Sequence, residues 1–400
     1  MHFTESGRPP TGAAERYRVI IAGICALILS VGLARFAYTP MLPIMREQIG
    51  LSDLAGGWLA TINYAGYMSG ALLAASISDL RCKFVLYRAG LVLAVLSTAA
   101  MGLTDEPVLW AVLRYLAGLS GAAGLLLASG LALNWLIRHG HRPELGLHFA
   151  GLGLGIVVSG LAVAAMVDWL SWAQQWLGLG LLGCAFFVPA WLWLPAPAPA
   201  HATTNSRITA AQAASPRWVW LLTGAYFCAG FGFVISATFI VTILVKLPML
   251  AGHGGWVWVI VGLAAAPSSF FWDRVAQALG PSPALLLAYG LQVISILLPA
   301  LSGDPLLNLL SAALYGVTFV GIVSLTLTLI GRRFPGNPAK AMARMTLSYG
   351  VAQIVAPAMA GYIATATGSY RGALFATAAI MLCGMALLGL LIREERRQQA

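Results

Sequence analysis

Apolar runs of about twenty residues recur from one end of the chain to the other, separated by short polar gaps. Twenty residues rising ~1.5 Å each give the length that crosses a hydrocarbon core as a helix. A membrane barrel would show short alternating segments instead, and the chain has none. Backbone groups in lipid must be bonded within their own segment, so these runs predict helices. The pattern places spans over 18–44, 54–78, 84–103, 108–137, 144–167 and 176–194. It places a second set over 217–245, 255–279, 282–302, 306–331, 341–366 and 370–392. One gap is longer, PAPAPAHATTNSRITAAQAASP over 195–216, a linker composition. It divides the spans six and six. The expected organisation is a tail (1–17), an N-terminal six-helix bundle (18–194), the linker (195–216), a C-terminal six-helix bundle (217–392) and a second tail (393–400). The first run, from Val19, is too long for a signal-peptide core and reads as an uncleaved first span.

Composition sharpens this. Of 400 residues, 60% are hydrophobic and only 9% charged, against about 25% charged in soluble domains; the mean hydropathy is +0.84. The net charge of +10 would suggest nucleic acid in a soluble protein. Here no basic cluster interleaves with aromatics, and no nucleic-acid partner is expected. The five cysteines form neither a CxxC pair nor a zinc-like spacing; no metal or cofactor is expected. A membrane-bound transferase would need a His/Asp or Asp/Glu cluster on a loop, and the short loops offer none, so no enzyme is expected.

The cations set the topology. With gaps numbered alternately, one side holds Arg8, Arg16, Arg18, Arg81, Lys83, Arg138, Arg142, Arg207, Arg217 and Arg274. Arg332, Arg333, Lys340, Arg344, Arg393, Arg396 and Arg397 fall there too. The other side holds Arg46, Lys246 and Arg371. The positive-inside rule then puts both ends and the linker in the cytoplasm. The halves also echo each other. Thr104-Asp105-Glu106-Pro107 before the fourth span matches Gly303-Asp304-Pro305 before the tenth, and Ser78-Asp79 after the second matches Trp272-Asp273-Arg274 after the eighth. Such parallel repeats place a substrate site between the halves.

Several segments resemble the major facilitator superfamily. Ser78-Asp79-Leu80-Arg81-Cys82-Lys83 resembles a degraded Gly-x-x-x-Asp-Arg-x-Gly-Arg-Arg loop, with Leu80 and Cys82 departing from the pattern. Arg114-Tyr115-Leu116-Ala117-Gly118 resembles that superfamily's Arg-x-x-x-Gly motif. Gly32-Leu33-Ala34-Arg35-Phe36-Ala37-Tyr38-Thr39-Pro40-Met41-Leu42-Pro43 and His148-Phe149-Ala150-Gly151-Leu152-Gly153-Leu154-Gly155 resemble its YbfB/YjiJ-like branch. The resemblance implies an all-α membrane fold of twelve helices in two pseudo-symmetric bundles. It also implies a monomeric secondary transporter in a bacterial-type inner membrane, working by rocker-switch alternating access. It implies no particular substrate.

The chemistry must come from residues inside the spans, and no Asp or Glu falls in the middle of any. Two cations do. Arg35 and Arg114 each lie roughly 9–14 Å below the far boundary at ~1.5 Å per residue. An unpaired guanidinium in lipid costs about 2.5–3.5 kcal/mol even on mild scales, so each needs a partner. Both are candidates for an anion site; the alternatives are that Arg114 braces against backbone carbonyls and that Arg35 pairs with Asp105 or a helix end. His148, with no carboxylate nearby in sequence, is the candidate for proton coupling. Asp79, Arg81 and Lys83 with Asp273 and Arg274 flank the cytoplasmic mouth and are candidates for gating ion pairs. In this superfamily spans one, four, seven and ten line the cavity. That implies Tyr38, Tyr226, Thr238 and Tyr315 as further substrate contacts, joined by Asn63, Tyr64 and Gln353. The expected site is cationic on the N-terminal side and aromatic or hydroxylic on the C-terminal side. The expected substrate is a small organic anion; export of amphipathic compounds against protons is the alternative.

Overall fold

The computed structural model describes residues 12–141, 146–197, 215–334 and 338–399. Glu5, Arg8, Arg142, Glu144, Arg207 and most of the 195–216 stretch lie outside them. Twelve helical segments follow in order: α1 (Ala14–Ile49), α2 (Asp53–Ser76), α3 (Leu80–Leu103), α4 (Pro107–Arg138), α5 (Gly146–Met166) and α6 (Trp172–Trp193). The second six are α7 (Pro216–Leu244), α8 (Gly254–Ala265 and Ser268–Leu279), α9 (Pro281–Leu301), α10 (Pro305–Arg333), α11 (Pro338–Thr367) and α12 (Arg371–Gln399). Ten are long and apolar enough to cross a membrane, and the bent pair of α8 makes eleven. The twelfth, α2, has 24 residues. Its Gly57, Asn63, Tyr64, Gly66, Tyr67 and Gly70 lower its hydropathy, and these positions are buried between helices.

Helix starts are written locally. Ser52, Asp79, Ser215 and Asp304 each accept the N–H three residues on, and Ser171 with Gln174 completes a capping box. Proline opens α4, α7, α9 and α10, where its missing N–H costs nothing. Pro267 breaks α8 with a 41° bend. Pro43 and Pro357 sit within continuous helix. Pro40 acts upstream. It removes the N–H that would meet the Phe36 carbonyl, and α1 widens into π-helical turns over Ile28–Phe36. A second π-helical stretch, Ala123–Leu127, interrupts α4. The two touch, with Gly124 set against Ser30.

Glycine crossings set the packing. Within the first bundle, a methyl on Gly118 would fall on the Asn63 carbonyl of α2, and one on Gly66 would fall on the Tyr115 carbonyl of α4. Where α1 crosses α5, a methyl carbon on Gly32 would lie 2.5 Å from Gly155 Cα. The halves meet along two equivalent pairs. At α5–α8, a methyl carbon on Gly255 would lie 2.6 Å from the Gly160 oxygen. At α2–α11, one on Gly57 would lie 2.5 Å from the Pro357 oxygen. In the repeat, α5 corresponds to α11 and α2 to α8, so the two seams are related by the pseudo-two-fold.

These seams lie mainly toward the side opposite the linker, here the distal side. Thr61 reinforces the α2–α11 seam by donating to the Ile354 carbonyl at 2.8 Å, and Thr39 joins α1 to α7 by donating to the Ala237 carbonyl. On the linker side α8 turns away at Pro267. Its second segment is tied to α10 instead: Ser268 Oγ and Trp272 Nε1 both donate to the Val317 carbonyl at 2.6 Å. Gly118→Ala is expected to destabilise the protein by about 1–3 kcal/mol through overpacking. Gly130→Ala, where nothing lies within 4 Å, is expected to be neutral. Thermal unfolding of the two variants in detergent checks this.

Candidate functional site

Because the halves touch distally and part on the linker side, a cavity of about 310 Å³ lies between them. Its walls come from α1, α2, α4 and α5 on one side and α7, α8, α10 and α11 on the other. At this volume it falls in the range that holds one small molecule.

Arg35 reaches it from the π-helical part of α1 and is 6% exposed. Its guanidinium carbon lies 4.5 Å from the centre of the Tyr64 ring and 4.4 Å from that of Tyr67, with Phe36 at 5.4 Å. The two tyrosines of α2 are three residues apart and share a face, forming a cation–π cradle. Arg35 Nε has no hydrogen-bond partner among the described residues. It pairs neither with Asp105 nor with a helix end.

Opposite Arg35 the C-terminal half supplies rings. Phe233 of α7 is central: its ring lies 5.5 Å from Phe319, 5.7 Å from Tyr349, 6.3 Å from Tyr64 and 6.5 Å from Phe36. Tyr226 stacks on Tyr349 at 4.5 Å. Gln353, Ser324 and Thr346 add polar atoms to the wall. Of the residues singled out by sequence, Arg35, Tyr226 and Gln353 line the cavity. Tyr64, Thr238 and Tyr315 stand one layer behind. Tyr64 lies under the Arg35 guanidinium, and Tyr315 donates to the Phe233 carbonyl at 3.2 Å while stacking on Phe319.

Arg114, Tyr38 and Asn63 form a separate group inside the first bundle. Arg114 is 2% exposed, donates to the Ala34 carbonyl at 3.1 Å and lies 4.3 Å from the centre of the Tyr38 ring. Asn63 donates to the Arg114 carbonyl at 2.8 Å, and Tyr38 to the Gly56 carbonyl at 2.9 Å. Arg114 thus ties α4 to α1 directly behind Arg35. Similar depth does not bring the two arginines to one surface. His148 is also buried behind the wall. Its Nε2 lies 2.8 Å from Ser129 Oγ, and Ser129 donates to the Leu125 carbonyl. Nδ1 faces Gly23 without a hydrogen-bond partner among the described residues. Asp79 caps α3 at 2.7 Å. Asp79, Arg81, Asp273 and Arg274 are exposed and Lys83 is half-buried. None of the five forms an ion pair among the described residues, as follows from halves that are apart on this side.

Sequence reasoning missed Tyr67, Phe36, Phe233 and Phe319, because an aromatic in a span does not stand out until a helix face is assigned, and it missed Thr346 as well. It also passed over Arg88, a third span cation. Arg88 lies near the linker end of α3 over Phe84 (4.6 Å) and Trp191 (4.4 Å). Among the described residues the buried ionisable cations Arg35, Arg114 and His148 all belong to the first bundle, and no carboxylate is buried.

The distal side is latched by polar contacts. Arg46 pairs with Asp53 at 2.7 Å within the first bundle, and Tyr370 of the second donates to the same Asp53 oxygen at 2.6 Å. Burial and the carboxylate beside it hold the Tyr370 phenol above its ordinary pKa, so it stays a donor. Tyr370→Phe removes a hydrogen bond to a charged group, a loss of about 1.5 kcal/mol. The distal-open population is expected to rise about tenfold. Labelling of a Ser236→Cys reporter by an impermeant maleimide, with and without Tyr370→Phe, checks it.

Other proteins share this architecture. The nucleoside transporter NupG superposes with a TM-score of 0.73 at 13% identity, covering 94% of this chain and 99% of its own. A bacterial homologue of the human lysosomal transporter Spinster, in an inward-facing and unoccupied conformation, superposes at 0.71 and 13% identity, covering 96% and 98%. A probable transporter of Streptomyces coelicolor is 30% identical over 74 residues. That match spans 18% of this chain and 17% of the relative. Residues 27–388 match the family described as the uncharacterised MFS-type transporter YbfB. With that match running through both bundles and the cavity between them, the chain belongs to this family of major facilitator membrane transporters.

Proposed function

We propose that the protein carries a small organic anion with an apolar or aromatic body across the membrane by alternating access. The observation that carries the reading is Arg35. It lines the cavity, has an unpartnered Nε, and has no buried carboxylate among the described residues to neutralise it. Low surrounding polarity strengthens its pull on an anion. The rings of Phe233, Phe319, Tyr226 and Tyr349 suit a planar or apolar body.

The excess of cations on the linker side supports reading that side as cytoplasmic; in this reading the membrane is a bacterial-type inner one and the protein works as a monomer. The present state is then open to the cytoplasm. Closure there would bring Asp79, Arg81 and Lys83 toward Asp273 and Arg274. A proton could travel on the substrate or use His148, whose Nε2 meets Ser129 at the cavity wall.

Arg35→Gln is expected to weaken binding of organic anions by about 10- to 100-fold, the range of a lost charged hydrogen bond. Arg35→Lys should recover part of it. Thermal shift of the purified protein against panels of aromatic and aliphatic carboxylates, neutral sugars and cationic amphiphiles identifies the ligand class. The second reading, export of amphipathic compounds, is favoured by the aromatic lining. It wins if cationic amphiphiles stabilise the protein and Arg35→Gln leaves their effect unchanged.

A further inference from the structure

Positive charge is scarce on the distal side. The gaps there hold three cations, Arg46, Lys246 and Arg371, and the fold brings all three to one place. Arg46 is accounted for by Asp53 at 2.7 Å. Lys246 and Arg371 have no carboxylate partner among the described residues. Both are exposed, and both line a second cavity of about 230 Å³ at the distal ends of α7, α9 and α12. Lys246 Nζ lies 5.5 Å from the centre of the Tyr370 ring.

The rest of the pocket has two layers. At its mouth Ser369 and Tyr370 stand beside the two cations, and Ile243, Pro299 and Leu374 form the remaining wall. The start of α12 adds to the positive field. Ser369 Oγ accepts the Arg371 N–H at 3.2 Å and the Leu374 N–H returns to the Tyr370 carbonyl at 3.0 Å. Gly372 and Ala373 between them carry the remaining N–H groups of the first turn. Two unpaired cations at helix ends, above an apolar wall, match a phosphate joined to an acyl chain at the membrane boundary.

We propose that this pocket is a binding site for a phosphate-bearing anion, seated between Lys246 and Arg371, whose natural source is the headgroup of an anionic phospholipid in the distal leaflet. The site shares Tyr370 with the Asp53 latch. An occupant packed against Tyr370 holds its hydroxyl on Asp53 and so favours the distally closed state. The pocket lies within the second bundle, away from the substrate cavity, and does not depend on what that cavity carries.

The test uses the purified full-length protein in a neutral detergent. Thermal stability is titrated with dihexanoyl phosphatidylglycerol, dihexanoyl phosphatidylcholine and glycerol phosphate. Stabilisation by phosphatidylglycerol with none by phosphatidylcholine is the expected result. The Lys246→Gln/Arg371→Gln variant should need at least tenfold more lipid for the same shift. A matching response to glycerol phosphate assigns a free organic phosphate; its absence assigns the lipid. Both positions are exposed, so the variant should fold. Ser369→Ala, with a smaller expected loss, gives a second reading. Equal responses to the two lipids, no response to any of the three, or a response unchanged in the double variant overturns the proposal. Tyr370→Phe should keep phosphatidylglycerol binding while losing the link to the latch, which separates the pocket from the distal closure.

Discussion

The first bundle is organised around burying guanidinium groups without carboxylates. Desolvating a charge costs several kcal/mol unless something replaces water, and in lipid there is no solvent to fall back on. Arg114 is answered by the Ala34 carbonyl and the Tyr38 ring. Arg35 is answered by the faces of Tyr64 and Tyr67. Ring faces compensate a cation without cancelling its charge, so Arg35 keeps its field directed at the cavity. A carboxylate partner would have spent that field inside the protein. The aromatic cradle, the widened turns of α1 that carry Arg35 and the close α2–α4 crossing behind it all serve this one placement.

That crossing makes the cradle rigid. Gly66 and Gly118 let α2 and α4 approach backbone to backbone, and Asn63 donates to the Arg114 carbonyl between them. Small residues at such crossings replace the hydrophobic drive that lipid cannot supply between apolar helices. The same device recurs between the halves, where glycines line both the α5–α8 and α2–α11 seams. Within a bundle the glycine contacts are backed by side-chain bonds such as those of Asn63 and Arg114. Between bundles fewer polar contacts back them: Thr39, Thr61 and the Tyr370–Asp53 latch. Surfaces that fit closely but are sparsely bonded can part as units, as alternating access requires of the two halves.

Much of the fold was legible in the sequence, because each layer of it is a local signal. Span length and helical character follow from apolar run length. The π-helical stretches of α1 and α4 were not read from the sequence; Pro40 marks the end of the first, and no local feature marks the second, whose Gly124 lies against Ser30. The site was legible only where polarity marked it. Arg35 stood out because a charge in a span is rare. Phe233 did not, although its ring is the meeting point of Phe36, Tyr64, Phe319 and Tyr349. Arg114 stood out equally and proved to lie behind the wall, because depth along a helix says nothing about which face a residue occupies.

The two halves therefore divide the work unequally within a symmetric frame. The first bundle holds the buried positive charge and fixes it against its own backbone and rings. The second offers mostly rings and hydroxyls to the shared cavity, with Gln353, Ser324 and Thr346 on its wall. It is also the half whose α8 breaks at Pro267, just where the helix leaves α5 and becomes tied to Val317 of α10. Ala266, the last residue before that proline, is the one packed on Gly153 of α5. The distal segment of α8 therefore packs both on α5 at the seam and on α10, where Gly316 lies against the Val261 carbonyl, and the following segment leaves the seam. With the bend at that junction, the linker-side mouth stands open while the distal glycine contacts are closed. Arg35 faces that mouth from the other wall, held by tyrosines of its own bundle.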